Sequence, residues 1–165
     1  MVAQHILTHG LFYAAAVNAY LFIIMITTSP RVWGYADYPE VVKDKVPPQT
    51  KSEKWIAVLI GLPWFIFALG YPILSTYGLR AILGSELPFW TAFINIFTLV
   101  MLASLVDLVV LDWLIVSRIT PKFVIIPGSE AADYKEFSHH YKGHARAVFV
   151  LVILSLILAG ILSWA

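Results

Sequence analysis

Residues 89–116 read FWTAFINIFTLVMLASLVDLVVLDWLIV, a run whose only charged residues are Asp107 and Asp112. A bilayer core of about 30 Å takes about 20 apolar residues in one helix. The run is longer than that, so it predicts a membrane-spanning helix. Residues 5–28, 55–77 and 147–164 meet the same requirement. The chain is 60% hydrophobic and 13% charged, where soluble domains are nearer half apolar and a quarter charged. Residues 1–165 therefore predict one unit, an all-α integral membrane four-helix bundle, with the bilayer as its first partner.

Ala14, Ala15 and Ala16 follow an apolar run, as in a signal peptide. Nothing basic precedes that run and it continues to Thr27, so the segment reads as a retained first helix. The sequence has no cysteine, which excludes disulfides and thiolate metal sites. A net charge of +1, with no Lys/Arg block, gives nucleic acid nothing to bind.

The basic residues set the expected orientation. Arg31, Lys43, Lys45, Lys51 and Lys54 lie in or beside the first loop; Arg118, Lys122, Lys135, Lys142 and Arg146 lie between helices three and four. Arg80 stands alone on the other side, with Glu86 as its only acidic neighbour. The positive-inside rule then makes loops one and three cytoplasmic and both termini external, in a multi-pass protein of the cell membrane.

Local signals agree with these spans. Thr50-Lys-Ser-Glu53 is a capping box at the start of helix two, and Ser85, Glu86 and Pro88 suit the start of helix three. Pro63 and Pro72 interrupt helix two and open carbonyls toward neighbouring helices. Ser155, Ala159 and Ser163 make a small-residue face on helix four, suited either to the interior or to a homodimer seam.

Histidine and aspartate carry the chemistry. His5 and His9 lie at one end of helix one, whereas His139, His140 and His144 lie at the opposite face, roughly 30 Å away across a 20-residue helix. The five cannot serve one metal, and His5 with His9 reads as structural. A carboxylate at membrane depth costs at least about 2.5 kcal/mol, so Asp107 and Asp112 should face the bundle interior. In an α-helix five residues span about 140°, which keeps these two from one metal. Asp107 reads either as protonated or hydrogen-bonded glue, with Asn18 its nearest polar neighbour by depth, or as a ligand-binding group.

A helix capped by Ser129 and starting at Glu130 is expected to run through residues 130–146 into helix four. At 100° per residue Asp133, Phe137, His140 and His144 share one stripe facing protein. Lys135, His139, Lys142 and Arg146 share the opposite, basic stripe, suited to cytosol or anionic lipid headgroups. His140 and His144, four apart, can hold one divalent metal such as zinc, with Asp133 and Asp112 as further ligands. Loops one and three are expected to form a structured cap on this face, with Trp33, Tyr35 and Tyr38 as an interfacial aromatic belt and the apolar dip at residues 123–126 lying on the membrane.

DYPEVVKDKVPPQTKSEK and LDWLIVSRITPKFVIIPGSEAADYKEFSHHYKGH resemble segments of an uncharacterised family of small four-helix integral membrane proteins of bacteria and archaea. The resemblance covers about half the chain, implies this topology and supplies no activity. The leading expectation is a cytoplasmic-face pocket that binds or modifies a small amphipathic, lipid-like ligand. Asp112, His140 and His144 form its catalytic centre, with Asp107 deeper and Arg118 or Arg146 meeting an anionic headgroup. The competing readings are a non-enzymatic scaffold or accessory subunit and, third, a metal-dependent membrane enzyme using His140, His144 and Asp133.

Overall fold

The computed structural model describes residues 1–84 and 86–164; Ser85, expected at the start of helix three, lies outside them. Among the described residues the chain is all-helical. Helix α1 spans Val2–Thr27, α2 Pro30–Trp33, α3 Glu40–Lys43, α4 Lys51–Leu83, α5 Phe89–Val106 and α6 Ser138–Trp164. Helix α5 continues as a π-helix over Asp107–Ile119, and a 3-10 turn occupies Ala131–Tyr134. Four helical stretches are long and apolar enough to cross a membrane: Val2–Thr27, Lys51–Leu83, Phe89–Ile119 and Ala131–Trp164.

Their packing is that of a bundle for an apolar solvent. Leu59, Leu62, Phe65 and Ile66 on α4, and Phe149, Val150, Ile153 and Ile157 on α6, are all more than half exposed. Apolar patches of that extent are abnormal in water and ordinary in lipid. Polar side chains point inward instead. Asn95 is fully buried, and its Nδ2 donates to Thr76 Oγ1 at 3.0 Å and to Ser75 Oγ at 3.3 Å, joining α5 to α4.

Helix α4 begins with the expected capping box, in which Thr50 Oγ1 accepts from the Glu53 N–H and Glu53 accepts from the Thr50 N–H. It ends at Gly84, whose left-handed φ of 90° suits glycine. Pro72 cannot donate to the carbonyl of Ala68, four residues back; the Tyr13 hydroxyl on α1 donates to it at 3.0 Å. Ser155 and Ala159 are fully buried within this one chain, against a cluster containing Leu79, Ala92 and Ile96. At Ser155 and Ala159 the small-residue face of the last helix is thus internal, while Ser163 is half-buried.

Loops one and three fold into a cap over one end of the bundle. Tyr38, Val42 and Val46 from the first pack with Val124, Ile126 and Tyr134 from the third, and with Met25, Leu111 and Val116 of the helices. The Tyr38 hydroxyl donates to the carbonyl of Val124 at 3.0 Å, and Tyr134 accepts from the Ile126 N–H at 2.9 Å. Tyr38 lies so close over Gly34 that a Cβ there would stand 2.5 Å from the ring. Arg31 ties loop one to α4, pairing with Glu53 and donating to the carbonyls of Pro47 and Pro48.

One expected element is corrected. The helix foreseen from Glu130 is interrupted: the 3-10 turn ends at Tyr134, residues 135–137 are non-helical, and α6 starts at Ser138. Lys135, inside the break, donates to the carbonyl of Arg118 at 2.9 Å and to Thr120 Oγ1 at 2.7 Å. It thereby caps the π-helix, whose chain turns away at Thr120 in the left-handed region with φ 53°.

Candidate functional site

Beneath the cap, the π-helix and the first turns of α6 face each other across a group of acids and imidazoles. A π-helix hydrogen-bonds i to i+5, so residues five apart stand nearly one turn above the other. The α-helical spacing of Asp107 and Asp112 placed them on different faces; the π-helical segment brings them together. One donor atom each from Asp107, Asp112 and His144 lies within 4.8 Å of the other two. This overturns the expectation that the two carboxylates cannot share a metal.

His144 is the hinge of the group. Its Nε2 lies 3.1 Å from Asp112 Oδ2 and 3.5 Å from Asp107 Oδ2. Its Nδ1 lies 2.9 Å from the hydroxyl of Ser104 on α5, which orients the ring. His140 joins from the next turn, with Nδ1 3.2 Å from Asp112 Oδ2. The His140 side chain is only 6% exposed, and its Nε2 is buried with no partner. Asp112 therefore receives both imidazoles on one oxygen.

Asp37, from loop one, completes the acids on the cap side. Protein surrounds it, although its surface stays open to the cavity, and that desolvation, followed by the charge of Asp112, pushes its carboxyl above the usual range. Sequence reasoning passed over Asp37 because a loop aspartate has no helical phase to place it. Ser104 was passed over as well, though it sits three residues before Asp107, a spacing that shares a face in α5.

The group lines a cavity of about 630 Å³. Asp37, Asp107, Asp112, His140 and His144 occupy one part of its wall, and Tyr13, Val17, Phe65, Leu69, Leu151 and Leu154 line the apolar remainder. Its size and mixed lining are those of a small-molecule site. Exposed His139 also lines it, whereas helical phase had put that residue on the outer stripe. The Trp64 ring lies on the wall too, and its Nε1 is buried without a partner.

The other expected site residues fall elsewhere. Asp133 Oδ1 accepts from Lys45 Nζ at 2.7 Å and its Oδ2 accepts from the Glu130 N–H at 2.8 Å, so it serves the loop cap. The helix break at residues 135–137 removes it from the histidine stripe, and the metal set of His140, His144 and Asp133 is corrected accordingly. Arg118 and Arg146 are exposed and do not line the cavity. Asn18 donates to the carbonyls of Ala14 and Ala103, leaving Asp107 to His144. At the opposite end His5 Nε2 lies 2.9 Å from the Ser75 carbonyl and His9 Nδ1 lies 2.8 Å from the Tyr71 hydroxyl, contacts that tie α1 to α4. No family model, curated protein or solved structure matches this chain, so the reading of the site rests on its own geometry.

Proposed function

We propose that this is a multi-pass protein of the cell membrane whose pocket, at the cytoplasmic face, binds a small amphipathic, lipid-like molecule. The observation that carries the reading is the division of the cavity wall. Acids and imidazoles gather at one part of it, and aromatic and aliphatic side chains line the rest. Such a wall suits a ligand with a polar head and an apolar tail. The orientation rests on the basic residues of loops one and three.

The head group is one that donates hydrogen bonds, a hydroxyl or an amine. The wall offers carboxylates and imidazoles, and no Lys or Arg lines it. Arg118 and Arg146, which the sequence offered to an anionic headgroup, meet lipid headgroups only at the outer surface. Asp112, His140 and His144 would grip the head, with Asp107 and Asp37 beside them. An imidazole held by a carboxylate is also equipped to take a proton near neutral pH, which makes modification of the bound head the natural extension of binding.

The test is small-molecule content. The full chain purified in mild detergent is expected to carry an amphipathic compound detectable by native mass spectrometry. Ala68→Phe, which fills the apolar part of the cavity, is expected to lose most of it while melting near the wild-type temperature. Equal content in the folded variant and the wild type would contradict the reading.

A further inference from the structure

We propose that Asp107, Asp112 and His144 form a site for one divalent transition-metal ion of the zinc or manganese class, with His140 available as a fourth donor. The inference goes beyond the amphipathic pocket and holds whether or not the apolar part of the cavity takes a ligand.

The first argument is distance. Zinc binds carboxylate oxygen and imidazole nitrogen at about 2.0–2.2 Å, so two ligands of one tetrahedral ion stand roughly 3.3–3.6 Å apart. His144 Nε2 lies 3.1 Å from Asp112 Oδ2 and 3.5 Å from Asp107 Oδ2. The carboxylate-to-carboxylate edge lies within 4.8 Å, so an ion seated in the group would draw the two acids toward each other.

The second argument is the outer contact on the ligand. Metal-binding histidines place their other ring nitrogen against a fixed partner, which sets tautomer and orientation. Ser104 Oγ stands in that position, 2.9 Å from His144 Nδ1. With the Nδ1 proton donated to Ser104, the Nε2 lone pair is free to ligate a cation held between the two carboxylates.

Charge points the same way. Asp37, Asp107 and Asp112 gather around cavities that no Lys or Arg lines. Asp107 and Asp112, half-buried within a helix long and apolar enough to cross a membrane, need a partner, and the cavity wall supplies only imidazoles. A divalent ion balances the two nearest carboxylates. His140 adds a donor from the next turn: it lines both cavities, its side chain is 6% exposed, and its Nδ1 lies 3.2 Å from Asp112 Oδ2. Mixed carboxylate and imidazole donors suit zinc, manganese or iron(II) better than the soft ions that thiolates select.

The experiment uses the full chain in detergent, stripped with a chelator, dialysed against Zn²⁺ or Mn²⁺, desalted and analysed for metal. Wild type is expected to retain close to one ion per chain. Asp107→Asn, Asp112→Asn and His144→Gln should each lose it, and His5→Ala/His9→Ala should keep it. Ser104→Ala leaves every ligand in place and is expected to weaken affinity about 10- to 100-fold by calorimetry. Co²⁺ loaded in place of Zn²⁺ should give visible absorption bands that disappear in His144→Gln. Wild type that retains neither Zn²⁺ nor Mn²⁺ overturns the proposal. So does a folded Asp107→Asn/Asp112→Asn double variant that binds like wild type. Small-molecule content and metal content measured on the wild type and Ala68→Phe test the amphipathic pocket separately, since that variant leaves every metal donor in place.

Discussion

Tyr38→Ala is expected to cost about 3–5 kcal/mol and to open the loop cap, because it deletes a fully buried aromatic side chain at the centre of that cap. The Tyr38 ring packs edge-on against Trp33 and Tyr134, with centroids 5.7 and 4.9 Å away, and its hydroxyl ties loop one to the Val124 carbonyl in loop three. The surrounding backbone has closed onto it at Gly34, so the vacated space cannot collapse without moving loop one. Tyr38→Phe keeps the ring and leaves the Val124 carbonyl unpaired, and should cost about 1 kcal/mol. Tyr141→Ala, at a side chain 59% exposed, should stay within about 0.5 kcal/mol of wild type. Thermal melting combined with proteolysis separates these cases, with new cleavage in residues 29–50 expected only for Tyr38→Ala. Because Asp37 precedes Tyr38 in the chain, the same variant should also disturb the pocket. Equal behaviour of Tyr38→Ala and Tyr141→Ala would remove the cap from the account.

His144→Ala is expected to destabilise the metal-free protein by about 1–2 kcal/mol, the scale of losing a hydrogen bond to a half-buried charged group. Among the described residues His144 is the only side chain paired with both Asp107 and Asp112, and its loss leaves Asp107 without its partner beside an Asp112 held by His140 alone. The sign of the coupling is the sharper expectation. Adding Asp107→Asn removes one of the opposed acids, so the double variant should be more stable than His144→Ala alone. Unfolding titrations on the four proteins of this cycle, in chelator, measure the coupling directly. A double variant less stable than either single one would mean that the acids do not depend on His144.

The spans were legible because length and hydropathy decide them. Residues 89–116 announced a membrane helix, Thr50 and Glu53 marked where α4 begins, and Gly84 closes it with the conformation that glycine favours. The pairing of His140 and His144 was legible for the same reason, since four residues in α6 do keep one face. Two errors came from assuming an α-helical period where the backbone departs from it. Asp107 and Asp112 are 140° apart at 100° per residue and adjacent in a π-helix, and nothing in DLVVLDWLIVSRI distinguishes the two windings by hydropathy. Asp133 shares a stripe with His140 only if the helix is continuous, and residues 135–137 break it while Lys135 reaches back to cap the π-helix. Asp37 reaches the site through tertiary packing of a loop, which no periodicity records.

The π-helical register of residues 107–119 is what makes a single site from these pieces. The chain has no native cysteine, so engineered cysteine pairs read proximity cleanly. A short thiol-bridging reagent should crosslink Asp107→Cys/His144→Cys and Asp112→Cys/His144→Cys with similar efficiency in membranes. Val109→Cys/His144→Cys, at a position 51% exposed on the outside of the same segment, should not crosslink. A straight α-helix turns the two aspartates about 140° apart, and only one of the two pairs would then react. Crosslinking of only one aspartate position would contradict the site described here.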